Sequence, residues 1–353
     1  MTRPITEADM SKRAAEMEPW YWWGLPTFYK CPWNGDPAAC DIGLVGVPHS
    51  SGNGSTERDQ HLAPRAVRHM SGWYRRAHQK FGFRPWDEFR IHDLGDVPLP
   101  EAMVNDVCVD HIEEFYTRLD AAGARPVSIG GDHSITGPIL RALGGPESKL
   151  SKGRKLALVH FDAHRDDYEY LPHWLGSKRS AAHWAAYTIR EGIVDPDHSI
   201  QLGMRGNPMR ARADPTQSDT GYRILPAETI FELGPEEVMR IIRERVGDLP
   251  VYITFDLDAL DPCDAPAVAN LEPGYRALRT YEAIRLLHAV RGLDIVGADI
   301  VCMIPTKDTP CQITAMTTVV LMFEMISLIA DRLRSQRQAS PAKSGATAQA
   351  APA

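Results

Sequence analysis

Short apolar runs alternate along the chain with longer segments whose apolar positions recur at helical spacing. The runs at 41–47, 89–92, 126–129, 155–161, 200–204, 222–225, 251–255 and 294–300 predict strands. Two of them, LALVHF and VYITF, are apolar almost without interruption, as a strand buried on both faces reads. Between the runs, 63–71, 107–122, 137–143, 180–191, 235–245, 280–291 and 313–334 predict helices. This alternation predicts an α/β unit with a mostly parallel sheet of about eight strands covered by helices.

The two ends read differently. Residues 1–34 form an arm rich in aromatic side chains: Trp20, Tyr21, Trp22, Trp23, Phe28, Tyr29 and Trp33. It reads as a packed arm or a subunit contact, or alternatively as part of a lid over a substrate. Residues 335–353 are rich in Ala, Ser, Pro and Gln and read as a disordered tail, leaving 35–334 for the main domain.

Composition narrows the classes. The 353 residues carry a formal net charge of −7, and no local run of Lys and Arg suggests a nucleic-acid partner. No stretch reads as a membrane span; the longest apolar run, 319–330, is interrupted by Glu324. Residues 1–18 show no secretory signal. The six cysteines are scattered without a C-x-x-C pair, as expected of reduced thiols in a cytoplasmic protein.

Three polar clusters follow three of the apolar runs directly. They are Gly130-Gly131-Asp132-His133-Ser134, then Asp162-Ala163-His164-Arg165-Asp166-Asp167, then Asp256-Leu257-Asp258-Ala259-Leu260-Asp261-Pro262. In an open parallel sheet, ligands bind beyond the carboxyl ends of the strands. Near a strand end, residues two apart project to one side, so Asp162, His164 and Asp166 can converge, as can Asp256 and Asp258, with His133 joining from a neighbour. An isolated Asp-x-Asp there is usually a turn or a cap. Four buried carboxylates together would repel without cations. Two divalent ions offset a charge of −4, and Mn²⁺, Ni²⁺, Co²⁺ and Zn²⁺ accept mixed nitrogen and oxygen ligands.

Gly-Gly-Asp-His-Ser, Asp-Ala-His-x-Asp and Thr-Phe-Asp-x-Asp-x-Leu-Asp-Pro, in this order, resemble the signatures of the ureohydrolase (arginase/agmatinase) family. The resemblance runs over about 21–332. It includes Leu-Val-Gly-Val-Pro at 44–48, Ala-Pro-Arg-Ala-Val-Arg at 63–68, Leu-Gly-Asp-Val at 94–97 and Phe-Glu-Met at 323–325, and it is closer to the agmatinase branch. It implies a three-layer α/β/α domain with two divalent ions, Ni²⁺ or Mn²⁺. One ion would be held by His133, Asp162, Asp166 and Asp256, the other by His164, Asp162, Asp256 and Asp258, with Asp162 and Asp256 bridging. It also implies attack of hydroxide on a guanidine carbon and a histidine that moves protons. His183 is the candidate, with His173 as the alternative. Such proteins are commonly trimers or hexamers, so a homo- or hetero-oligomer is expected.

Two departures fall on the substrate side. Ala-Pro-Gly-Thr-Gly-Thr-Pro-Glu of the family is replaced by 265–272, with Val268, Asn270 and Glu272 as candidate substrate contacts. In the family's Val-Glu-Val-x-Pro the glutamate meets the guanidinium; here Val301-Cys302-Met303-Ile304-Pro305 puts Cys302 in its place. Without that carboxylate a simple guanidinium binds less well. An apolar surround of Cys302, Met303 and Val268 suits an alkylated guanidine or a biguanide. Metformin and N,N-dimethylguanidine are such compounds, and metformin hydrolases are hetero-oligomeric, nickel-using relatives. The alternatives are hydrolysis of agmatine, guanidinobutyrate or guanidine, a non-catalytic metal-bearing subunit, and an amide deacetylase with a single Zn²⁺.

Overall fold

The computed structural model describes residues 5–18, 20–53, 57–169, 178–207, 218 and 220–339. Each expected strand is present: β1 (Ile42–Val47), β2 (Ile91–Asp96), β3 (Arg125–Gly130), β4 (Ala157–Phe161), β5 (Ile200–Leu202), β6 (Arg223–Leu225), β7 (Val251–Asp256) and β8 (Ile295–Val301). They form one 8-stranded sheet in the order β2-β1-β3-β8-β7-β4-β5-β6. Every neighbouring pair is parallel.

The helices are α1 (Glu7–Met17), α2 (Ala63–Ser71), α3 (Pro85–Glu88), α4 (Asn105–Ala122), α5 (Thr136–Leu143), α6 (Trp184–Arg190), α7 (Ala227–Leu233), α8 (Pro235–Val246), α9 (Thr280–Leu287) and α10 (Ile313–Ala339). The two-residue period of the strands sorts their side chains into two cores. Ile42, Leu44, Val159, Phe161, Ile253 and Phe255 pack with α2, α8, α9 and α10. Val45, Val47, Leu158, Tyr252 and Val296 pack with α4, α5 and α6 on the other face. The result is the three-layer α/β/α architecture.

The differences from the sequence pattern have local causes. The second strand begins at Ile91 and runs to Asp96, past the expected 89–92. Its polar Asp93 is buried because it accepts from the Phe28 amide and from Arg68, a partnership with residues distant in sequence. Helix α1 buries no residue and so has no apolar stripe to announce it; a capping box between Thr6 and Asp9 starts it. Residues 180–183 are not helical, and α6 starts at Trp184. Helix α10 continues to Ala339, five residues into the expected tail; 340–353 lie outside the described residues.

By length and composition α10 would cross a membrane, contrary to the sequence expectation, but 83% of its most apolar window is buried inside the fold. It is the helix on which the larger core is built. The aromatic arm divides in two. Phe28 and Tyr29 are fully buried, with Tyr29 Oη donating to the Val319 carbonyl at 2.6 Å. Trp20, Tyr21, Trp22, Trp23 and Trp33 are exposed.

Candidate metal centre

Strands β3, β8, β7 and β4 are adjacent, and their carboxyl ends carry the three polar clusters and Cys302. The turn after β3 needs a glycine. A Cβ on Gly131 would lie 1.9 Å from the His49 carbonyl oxygen. Asp132 caps the turn, accepting from the Gly52 and Ser134 amides at 2.8 and 2.9 Å, and so stays off the cluster. Asp166 and Cys302 both have left-handed backbones, φ 51 and 69, a cost that residues with side chains carry mainly where function requires it.

The six expected ligands come together as two half-sites. In the first, His133 Nδ1 lies 3.0 Å from Asp162 Oδ2, 3.0 Å from Asp166 Oδ2 and 3.3 Å from Asp256 Oδ2. In the second, His164 Nδ1 lies 3.0 Å from Asp258 Oδ2 and 3.5 Å from Asp162 Oδ1. Asp162 therefore spans both halves through its two oxygens. Asp256 contributes Oδ2 to the first half, while its Oδ1 accepts the Asp258 amide at 2.9 Å. The His164 side chain is 25% exposed and marks the open side of the cluster.

Beneath the ligands a polar row crosses the sheet in register: Gln201, His160, Thr254, Asp299 and Ser128 are successive neighbours on β5, β4, β7, β8 and β3. Each is fully buried. The row fixes which ring nitrogen carries a proton. Thr254 Oγ1 donates to Asp299 Oδ1 at 2.5 Å, so it accepts from His133 Nε2 at 2.9 Å. That leaves Nδ1 of His133 facing three carboxylate oxygens. The Gln201 amide donates to His160 Nδ1 and to the Arg165 carbonyl, so His160 Nε2 donates to Asp162 Oδ2 at 2.8 Å. Glu272 Oε1 accepts from His164 Nε2 at 3.2 Å, which turns His164 Nδ1 toward Asp162 and Asp258.

This arrangement demands positive charge. Burial, then the charges of Asp256 and Asp162, push the Asp258 carboxyl well above its usual range. Burial and the Asp162 charge raise Asp166 as well. Burial opposes a charge on His133 and His164, yet the surrounding carboxylates hold both imidazoles well above the ordinary histidine value. Two imidazolium protons would offset half of four carboxylates; two divalent ions offset all of them. His133 Nδ1 is buried among three carboxylate oxygens at 3.0–3.3 Å, a place for a proton or for a cation. A nitrogen that faces carboxylates while its partner is tied to an outer group is how a histidine is set up to ligate a metal. The residues fit divalent ions.

The other candidates fall in different places. Cys302 Sγ borders the first half-site, within 4.8 Å of the His133 and Asp256 ligand atoms. Val268 and Met303 are bridged to each other and buried in the larger core, whereas Val301 and Cys302 pack with the smaller one. Asn270 is exposed. Glu272 meets His164 and acts on the ligand set. His183 sits at the start of α6, its Nδ1 2.8 Å from Ser180 Oγ, one residue before Trp184, whose indole donates to Asp166 Oδ2 at 3.0 Å. His173 lies outside the described residues. Sequence reasoning missed His160, Gln201, Thr254, Asp299 and Trp184. The signal for the strand residues was a single polar position in each run, which only the register of the sheet brings into one row; Trp184 gave none.

The family model described as "Arginase: Arginase family" matches residues 40–327. The chain is 37% identical over 312 residues to a guanidinopropionase of Pseudomonas aeruginosa, covering 87% of this chain and 92% of that one. It is 32% identical to a guanidinobutyrase of the same organism, covering 87% and 92%. Among solved structures it resembles the proclavaminate amidino hydrolase of Streptomyces clavuligerus, with a TM-score of 0.79, 29% identity and coverage of 88% and 99%. It also resembles a hypothetical agmatinase from Burkholderia thailandensis, with a TM-score of 0.77, 26% identity and coverage of 89% and 93%.

Proposed function

The chain belongs to the arginase family, and on that premise we propose that it cleaves a C–N bond of an N-alkylated guanidine or a biguanide, of the N,N-dimethylguanidine and metformin type. It is a hydrolase acting on C–N bonds of linear amidines, and guanidino compounds are its substrate class. The alkylated substrate is supported by one observation. Cys302, where the family pattern has glutamate, stands at the metal cluster, so this position offers a guanidinium no carboxylate. An N,N-dialkyl compound loses least by that, since it presents fewer N–H donors and more apolar surface.

When bound, a pair of divalent ions, nickel or manganese, supplies Lewis acidity and a water that deprotonates near neutral pH. The chain's own groups do the rest. Asp162, held by His160, ties the two half-sites together. Glu272 orients His164. His183 delivers the proton that the departing amine needs. With N,N-dimethylguanidine the balance is one water consumed, dimethylamine and urea released.

A second reading, hydrolysis of an unsubstituted guanidino acid or agmatine, is favoured by the names of the relatives. A non-catalytic subunit is disfavoured by the complete ligand set. The exposed aromatic arm supports a homo- or hetero-oligomer, a trimer or hexamer. The free thiols of Cys263 and Cys311, both exposed, suit the reducing cytoplasm.

The test compares kcat/KM for guanidine, agmatine and N,N-dimethylguanidine in wild type and Cys302→Glu, after both are shown to bind metal. A glutamate facing methyl groups is left unpaired, which costs about 1–3 kcal/mol. The ratio of dimethylguanidine to guanidine turnover should fall roughly tenfold or more. An unchanged ratio in a folded, metal-loaded variant would remove the reason for preferring an alkylated substrate.

A further inference from the structure

We propose that the sulfur of Cys302 is a ligand of the ion held on the His133 side, so that the two halves of the centre differ in donor chemistry. The proposal rests on reading the cluster as a metal centre. Cys302 Sγ, a His133 ring nitrogen and a carboxylate oxygen of Asp256 all lie within 4.8 Å of one another, a span that one ion can bridge. Since His133 Nε2 is committed to Thr254, the nitrogen in question is Nδ1, which is buried and faces carboxylate oxygens of Asp162, Asp166 and Asp256.

The backbone holds the sulfur there. Cys302 has φ 69, and its amide donates to the Gly131 carbonyl at 2.8 Å, tying it to the turn that carries His133. Residue 302 is 7% exposed, beside carboxylates on one side and the smaller core on the other. The first half-site then offers one nitrogen, three oxygens and one sulfur. The second offers His164 Nδ1 with oxygens of Asp162 and Asp258. On binding, the thiol proton leaves to solvent and the sulfur shares a lone pair with the ion; nothing is oxidised or reduced. Soft sulfur strengthens the preference of the first half for Ni²⁺, Co²⁺ or Zn²⁺ over Mn²⁺ beyond that of the second half, which offers only nitrogen and oxygen.

The test is a Co²⁺ titration of the metal-stripped full chain, followed by absorption. The first equivalent should raise an intense near-ultraviolet sulfur-to-cobalt band, and the second only weak visible bands. Cys302→Ser should lose the intense band while still taking up two equivalents. Its first-site preference for Zn²⁺ over Mn²⁺ should drop by about tenfold or more, since even loss of an outer partner costs about 10–100-fold in affinity. Two equivalents bound by wild type without the band, or a band that survives in Cys302→Ser, overturns the proposal; the exposed Cys263 or Cys311 would then be the source. Failure of wild type to bind cobalt at all would instead overturn the metal-centre reading beneath it. If Cys302→Ser does not fold, cobalt X-ray absorption on wild type reads the Co–S contact directly, and its absence rejects the proposal.

Discussion

Replacing Thr254 with valine removes one oxygen from the middle of the polar row and leaves the volume nearly unchanged. Thr254 Oγ1 donates to Asp299 Oδ1 at 2.5 Å, accepts from His133 Nε2 at 2.9 Å, and lies 3.3 Å from Thr136 Oγ1. In Thr254→Val, His133 keeps an N–H with no acceptor, and Asp299 keeps only Thr136 and Tyr252 as partners. A buried polar group left unpaired costs about 1–3 kcal/mol. The metal-free protein should therefore unfold at lower urea, with stability reduced by roughly that amount. Removing an outer partner of a metal-ligating histidine lowers affinity about 10–100-fold. The His133-side ion should bind weaker by that factor, about 1.4–2.7 kcal/mol. Affinity is read by competition with a chromogenic chelator. Thr254→Ser, which keeps the hydroxyl, should stay close to wild type. A folded Thr254→Val with wild-type metal affinity would show that the row does not orient His133.

Asp162→Asn should remove more than one ion's worth of affinity, because its two oxygens face the two half-sites; elemental analysis that still finds two tightly held ions per chain would contradict this. Glu324 accepts from His78 and His288 at 2.9 and 2.8 Å, and although burial raises its carboxyl, these bonds hold it down at about 2. A depressed carboxyl stabilises above its unfolded value of 4.5, and that stability is lost as the pH falls through about 2. Glu324→Gln should thus cost on the order of 3 kcal/mol at neutral pH, with the difference shrinking below about pH 4.5; a gap that is constant down to pH 2 would refute the assignment. The exposed Trp20, Tyr21, Trp22 and Trp23 should be covered in an oligomer, and light scattering that finds a monomer at micromolar concentration would exclude it.

Much of this was legible because apolar runs make strand ends readable. The runs locate the edge of the sheet, just beyond which Asp162, His164 and Asp166 come together, though through a turn past the end of β4, with Asp166 in a left-handed backbone, rather than through strand alternation. The β2 shift was not legible, because Asp93 is a strand residue only once Arg68 and the Phe28 amide satisfy it. The polar row was hidden for a similar reason. His160, Thr254 and Asp299 lie far apart in sequence, and only the register of β4, β7 and β8 makes them neighbours. The contact of Glu272 with His164 was not legible because the two lie 108 positions apart. Val268 and Met303 pack in the larger core and Cys302 in the smaller, a division that strand spacing does not announce, because β8 ends at Val301 and Cys302 has a left-handed backbone.

Hydrolysis of an alkylated guanidine by the metal-loaded chain is the activity to be measured. Full-length protein carrying two equivalents of Ni²⁺ or Mn²⁺ is incubated with N,N-dimethylguanidine in ¹⁸O-enriched water, and the products are read by mass spectrometry. The expected result is dimethylamine and urea bearing one ¹⁸O. Turnover of agmatine or a guanidino acid with dimethylguanidine left intact would contradict the substrate, and no urea from any guanidine would contradict the enzyme.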